Sequence, residues 1–301
     1  MMKKIVLMVL LLVLTACGGQ KQNAASPFLE GTTGVRVNFI QDAPPAEVYD
    51  RGQFPFEVAL QLENVGETDV AKDKIQVTLK GVDPAEFGKT SSSFVLRPNE
   101  DLKGAKKDAS GVRVDGTLAE VSVADLNYAG TITGASVERL LVANICYEYA
   151  SKAVADLCVL SNVLKDNSAV CKINEAKQVF STGAPIRVTS FTERSSGTDK
   201  VEFDFTIENQ GAVKGIYKEN SGCAEVRSNE NIVRVAVSGI NGIQCTGLSE
   251  GGYVTLLNNK KTIKCILSTA GATDYEKTIN IDLAYAISDD ISTTLRIAHT
   301  G

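Results

Sequence analysis

Tryptophan is missing from this chain, and histidine occurs once, at position 299. A Ser-His-Asp or Cys-His catalytic arrangement needs an imidazole beside its nucleophile, so His299 alone could serve one. It stands two residues from the C-terminus and is expected to be a frayed terminal or strand-surface side chain. The cysteines show no Cys-x-x-Cys spacing, which leaves a Cys/His zinc site without its usual ligand pattern. An acidic EF-hand loop, a glycine-rich phosphate loop in strand-to-helix context and an Asn-x-Ser/Thr sequon are all missing. No cofactor is expected. Basic clusters are also missing. The formal net charge is −5, which argues against nucleic acid and an anionic lipid surface as the main partner. No convincing helical stretch is found, and beyond the N-terminus no apolar run is long enough to cross a membrane.

The N-terminus itself is distinctive. Met1-Met2-Lys3-Lys4 precedes an apolar run from Ile5 to Leu14, too short for a membrane-spanning helix and suited to an export signal. It ends in Leu14-Thr15-Ala16-Cys17, an aliphatic residue and two small ones before cysteine. This segment resembles the lipobox of prokaryotic lipoproteins. The resemblance implies cleavage after residue 16, a diacylglyceryl thioether on Cys17 and a membrane lipid partner through that residue, two acyl chains being enough for stable anchoring. Without Lys3 and Lys4, 29 basic residues face 36 acidic ones, a net charge of about −7. Residues 17–27 are small and polar and are expected to be a lipidated tether. The expected location is extracytoplasmic. Six cysteines then remain, an even number in a compartment that favours disulfides.

The remaining chain contains an internal repeat of about 140 residues. GVRVNFIQ (34–41) is matched by APIRVTSF (184–191), and FPFEVALQLENVGETDV (54–70) by KVEFDFTIENQGAVKGI (200–216). Each second segment is an alternating strand closed by Glu-Asn-x-Gly, at Glu63-Asn64-Val65-Gly66 and Glu208-Asn209-Gln210-Gly211. Asn and Gly suit a turn. KIQVTLKGVD (74–83) and IVRVAVSGIN (232–241) follow. Late in each unit, 140–160 and 279–299 are expected to form terminal hairpins, with turns near Ser151-Lys152-Ala153 and Ser288-Asp289-Asp290.

This order implies an all-β protein made of two tandem antiparallel sandwiches, because an alternating strand offers one apolar face that another sheet must cover. The expected domains are 28–160 and 183–301, joined by a linker at 161–182. The charged stretch 99–117 is expected to be an exposed loop. A strand ending in Asn-x-Gly within such a unit resembles the CARDB-type immunoglobulin-like domains of prokaryotic surface proteins. That resemblance implies a spacing, adhesion or binding role without catalytic residues.

The cysteines are read as structural. In a hairpin centred on Lys152, Cys146 faces Cys158, and this pair is the first expectation; Cys158 with Cys171 is the alternative. Cys245 with Cys265 is expected next, leaving Cys171 with Cys223. Asp289 and Asp290 are expected to be turn residues rather than paired acids for glycoside hydrolysis, since neighbouring strand residues point to opposite faces. Tyr147 and Tyr149 are expected to pack inward rather than form an aromatic binding strip. The leading expectation is a non-enzymatic, membrane-anchored surface binding or structural module. It would meet a protein or glycan through loops or strand edges. A subunit of an envelope or surface assembly comes second, and an envelope-polymer hydrolase last.

Overall fold

The computed structural model describes residues 25–164 and 170–300. The signal segment, Cys17 and most of the tether therefore lie outside the described residues. The first half contains β1 (Val35–Phe39), β2 (Glu47–Tyr49), β3 (Phe56–Asn64), β4 (Ile75–Lys80), β5 (Val95–Leu96), β6 (Lys106–Lys107), β7 (Arg113–Val114), β8 (Leu118–Leu126) and β9 (Ser136–Val159). The second contains β10 (Glu175–Lys177), β11 (Val179–Ser181), β12 (Ile186–Ser195), β13 (Lys200–Asn209), β14 (Gly215–Tyr217), β15 (Ile232–Ser238), β16 (Gln244–Thr246), β17 (Tyr253–Thr255), β18 (Lys260–Ser268) and β19 (Tyr275–Ala298). The protein is all-β, with four short 3-10 turns among the described residues.

The two expected terminal hairpins are corrected. Each is one unbroken strand of 24 residues, β9 and β19, and the two pair antiparallel along their whole length, from Ser136↔Ala298 to Val159↔Tyr275. Odd-numbered residues of both strands face inward over the central stretch, including Ala143, Ile145, Tyr147, Tyr149 and Ala153 on β9 and Ile281, Leu283, Tyr285 and Ile287 on β19. The residues read as turns are ladder members instead: Ser151 pairs with Leu283, and Asp289 with Ile145.

This strand pair is the spine of a nine-stranded sheet holding strands from both halves of the chain. β4 flanks β9 at residues 142–147, and β15 flanks β19 at 280–284. A three-stranded sheet, β1-β3-β8, covers one end of the spine. There Phe56, Val58 and Leu126 meet Leu79, Leu141 and Leu295 around a small apolar hollow. A five-stranded sheet, β10-β12-β13-β18-β16, covers the other end. Its Glu193 carboxylate accepts the Cys158 backbone N–H of β9 (3.1 and 3.2 Å), and Phe191 stacks on Phe203 at 5.2 Å between ring centroids. The two sandwiches therefore share their long strands, and their buried side chains form one contiguous core.

The segment 161–182, expected to be a linker, carries β10 and β11, which pair with β12 and β9. The 99–117 excursion forms the small β6-β7 hairpin, exposed except where Leu102 and Ala105 are buried.

The two Asn-x-Gly segments make similar backbone bonds. N–H groups of Val65 and Gly66 donate to the Gly34 carbonyl (3.0 and 3.1 Å), and those of Gln210 and Gly211 donate to the Pro185 carbonyl (2.8 and 3.3 Å). Both Asn-x-Gly turns lie in the middle of the molecule, against residues 32–34 and 183–185. A Cβ on Gly66 would sit 2.1 Å from the Tyr149 hydroxyl and 2.6 Å from the Gly183 carbonyl oxygen. Glu67 joins the halves there, accepting backbone N–H bonds from Leu29 (2.9 Å), Glu30 (3.1 Å) and Gly183 (2.5 Å).

Candidate functional site: a groove across the waist

Even-numbered residues of the spine face away from the core. At its middle they are small: Ala150 pairs with Ala284, and Glu148 with Ala286. Short side chains leave the floor low, while the neighbouring segments rise on both sides. The first wall is the turn 68–74 before β4. The second is β15 and the 218–231 loop. Between them run three adjoining hollows of about 210, 270 and 300 Å³.

Glu148 ties the walls together. It forms an ion pair with Lys74 at 3.2 Å and accepts the Asn220 backbone N–H at 3.0 Å. The Asn220 side-chain oxygen in turn accepts Lys74 Nζ at 3.0 Å. Further along, Arg234 pairs with Glu219, which also accepts the Tyr253 hydroxyl at 3.2 Å. That carboxylate holds the Arg234 guanidinium above its ordinary pKa. The Lys218 ammonium lies 4.3 Å from the centre of the Tyr253 ring, a cation–π contact. Lys152 and Asp282 close the far end at 3.9 Å. The groove thus offers alternating donors and acceptors over an alanine floor, with both charge signs present. Such a surface suits a polar, extended ligand.

A disulfide holds the second wall. Cys146 on β9 bonds Cys223, and the Cys223 sulfur also lies 3.2 Å from the Ile287 carbonyl oxygen. This replaces the expected Cys146–Cys158 pair, which required a hairpin that does not form. Cys158 bonds Cys171, so Cys171 is not joined to Cys223; Cys245 bonds Cys265 across β16 and β18. The three bonds mark a protein that matures outside the reducing cytosol.

The other residues singled out in the sequence are placed as follows. Tyr147 and Tyr149 are buried at the junction of the halves, edge to face at 5.8 Å, with Tyr285 beside Tyr149 at 6.4 Å. Burial pushes all three hydroxyls well above the usual tyrosine range. Tyr147 accepts the Val35 N–H (3.2 Å) and Tyr149 the Thr68 N–H (3.3 Å), fixing the strand entries of the first half. Asp289 and Asp290 lie in β19. Burial raises the Asp289 carboxyl. Asp290 pairs with Lys214 and accepts Asn144 Nδ2 at 2.6 Å, which outweighs its own burial and lowers it. The two carboxylates thus differ in environment, but Lys214 and Asn144 occupy Asp290.

His299 is not frayed. Its Nδ1 meets the buried Asp50 carboxylate at 2.7 Å. Burial alone would raise Asp50, but bonds from the Thr300 backbone, His299, the Ile132 backbone and the Thr300 hydroxyl hold it far below the carboxylate range. The other ring nitrogen, Nε2, faces the Arg51 guanidinium at 3.4 Å. The bonds of His299 and Thr300 to Asp50 fasten the C-terminal end of β19. Sequence reasoning missed this contact because Asp50 and His299 are 249 residues apart.

Sequence reasoning also missed Glu193. It is fully buried, and burial raises its carboxyl to about 7 even though the Cys158 N–H and Lys177 favour the charged form. Lys177, itself 8% exposed, lies 3.4 Å away.

No protein-family model matches this chain, and no curated protein is significantly similar to it. Among solved structures, the envelope protein VP37 of White Spot Syndrome Virus aligns with 46% of this chain and 97% of its own. The identity is 12% and the TM-score 0.26, a likeness too slight to bear on fold or function.

Proposed function

We propose that this protein is an extracytoplasmic lipoprotein, anchored through acylated Cys17, that acts without catalysis as a surface binding or structural module. The observation that carries the reading is the waist groove, a polar channel built where both halves meet and braced by the Cys146–Cys223 disulfide. The lipobox-like Leu14-Thr15-Ala16-Cys17 supports the anchor, and the disulfides support the compartment. The kinship to CARDB-type or immunoglobulin-like domains proposed from the Asn-x-Gly strands fits a binding or spacing role. The contact surface proposed is the groove rather than the loops at the sandwich ends, and its ligand class is an extended glycan or peptide of the cell envelope. A subunit role in an envelope assembly is the second reading, favoured by an uncovered sheet edge described below.

The test is retention on isolated envelope material. The intact chain is expected to bind, and Glu148→Lys, which puts a cation against Lys74 and breaks the bridge between the walls, to lower retention about tenfold or more, a loss of about 1.4 kcal/mol. Cleavage of the envelope polymer by the wild-type chain would overturn the non-enzymatic reading. Unchanged retention by the variant would remove the groove from it.

A further inference from the structure

The two halves treat one equivalent edge differently. In the second half, the chain between β15 and β17 crosses to the opposing sheet and forms β16, which pairs with β18 and is locked to it by Cys245–Cys265. In the first half, the matching stretch between β4 and β5 coils into two 3-10 turns and buries Phe87 and Phe94. It reaches β8, the counterpart of β18, only past its end, where the Phe87 carbonyl accepts the Asn127 N–H at 3.2 Å. At the other end the Lys103 carbonyl accepts the Thr117 N–H at 2.9 Å. Between these points, among the described residues, β8 pairs with β3 alone and ends its sheet.

We propose that this bare edge of β8 pairs antiparallel with the same edge of a second copy of the chain, with the two-fold axis at Val121. The orientation of the backbone follows from the neighbouring bonds. Ile40 N–H donates to the Ala59 carbonyl, and Asn64 N–H to the Thr117 carbonyl. Residues 60, 62 and 64 of β3 therefore face β8, and their partners 117, 119 and 121 face back. That leaves the N–H and C=O groups of Leu118, Glu120 and Ser122 pointing outward. An uncovered edge of this length is normally blunted by lysine, proline or inward charge. β8 carries none of these over 118–124, and its only charge there is Glu120. The break in register comes after Val123, at residues 124 and 125, with Asp125 at φ 53°.

Self-pairing fits the side chains in one register. With Val121 opposite Val121, Glu120 lies opposite Ser122 twice, Ala119 opposite Val123, and no like charges meet. Centring the axis on Glu120 would oppose the two glutamates. The Val121 register forms four backbone hydrogen bonds, two in each Glu120–Ser122 pair, and joins the two three-stranded sheets into one of six. The result is a closed, isologous dimer. The inference is independent of what the groove binds.

Sedimentation equilibrium of the purified full chain in mild detergent tests it. The expected result is a reversible dimer. Ser122→Lys faces Glu120 of the partner twice and should tighten it, and Ser122→Glu should weaken it, each by about twofold to thirtyfold, from about 0.2–1 kcal/mol per cross-strand pair. Because residue 122 is exposed, both variants should keep the wild-type circular dichroism spectrum. The double variant Glu120→Lys/Ser122→Glu restores opposite charges and should recover tight association. A monomer at every concentration, or a dimer indifferent to these substitutions, would overturn the proposal.

Discussion

Single side chains at the seams of this protein matter more than any exposed one. Glu193 is the clearest case, an ionisable group with no exposure, beneath the Cys158–Cys171 bond. Its carboxyl is raised from 4.5 to about 7, so the folded state holds a proton that the unfolded state releases. The stability this gives is full below about pH 4.5 and is lost as pH rises through 7. The charged groups facing it are Lys177 and, through Lys177, Glu175. Melting temperature should therefore fall between pH 5 and 8. Glu193→Gln keeps an acceptor for the Cys158 N–H without the charge and should flatten that dependence, removing about 1–3 kcal/mol of it. An equally steep profile in the variant would place the titrating group elsewhere. None of this was legible in the sequence, where Glu193 reads as one polar member of an alternating strand. It takes the fold to bring Lys177 and Cys158 over it.

Among the elements, the strands with clean alternation and their Asn-x-Gly turns were legible, because period two and positive-φ residues are local signals. The hairpins were not. Ser151, Asp289 and Asp290 are turn-formers by type, and a 24-residue strand lies far outside the usual length. Here the fold supplies what a turn would otherwise give them. The Ser151 hydroxyl bonds to the Ile186 carbonyl and lies 2.6 Å from the Tyr285 hydroxyl, while Asp290 is held by Lys214 and Asn144. The alternation running unbroken through 141–157 was the signal that no chain reversal was needed. Equivalent turns also make an equivalent prediction. Alanine at Gly66 would meet the Tyr149 hydroxyl, and alanine at Gly211 would meet Pro185 Cβ at 2.6 Å and the Thr32 carbonyl oxygen at 2.8 Å. Each should cost about 1–3 kcal/mol in denaturant melts. Gly66→Ala is expected to be the worse, because its Cβ would come closest to a neighbour, 2.1 Å from the Tyr149 hydroxyl, with the Gly183 carbonyl oxygen at 2.6 Å. Wild-type stability in either variant would mean that the turns do not pack at the junction.

At the scale of the whole molecule, the two halves of the chain complete each other. Both sandwiches take part of their sheet from both long strands, so neither half owns a finished core. The matched segments of the sequence led to the expectation of two units. They did not show that the two share a sheet, because pairing between strands 139 residues apart leaves no periodic mark. The disulfides record the difference. In a hairpin Cys146 and Cys158 would face each other. In one continuous strand they are twelve residues apart at about 3.3 Å per residue, roughly 40 Å and beyond bonding. Peptide mass mapping of the unreduced protein reads this directly. The account predicts Cys146–Cys223, Cys158–Cys171 and Cys245–Cys265. A linked peptide pair joining Cys146 to Cys158 would contradict the shared strands and return the molecule to two separate sandwiches.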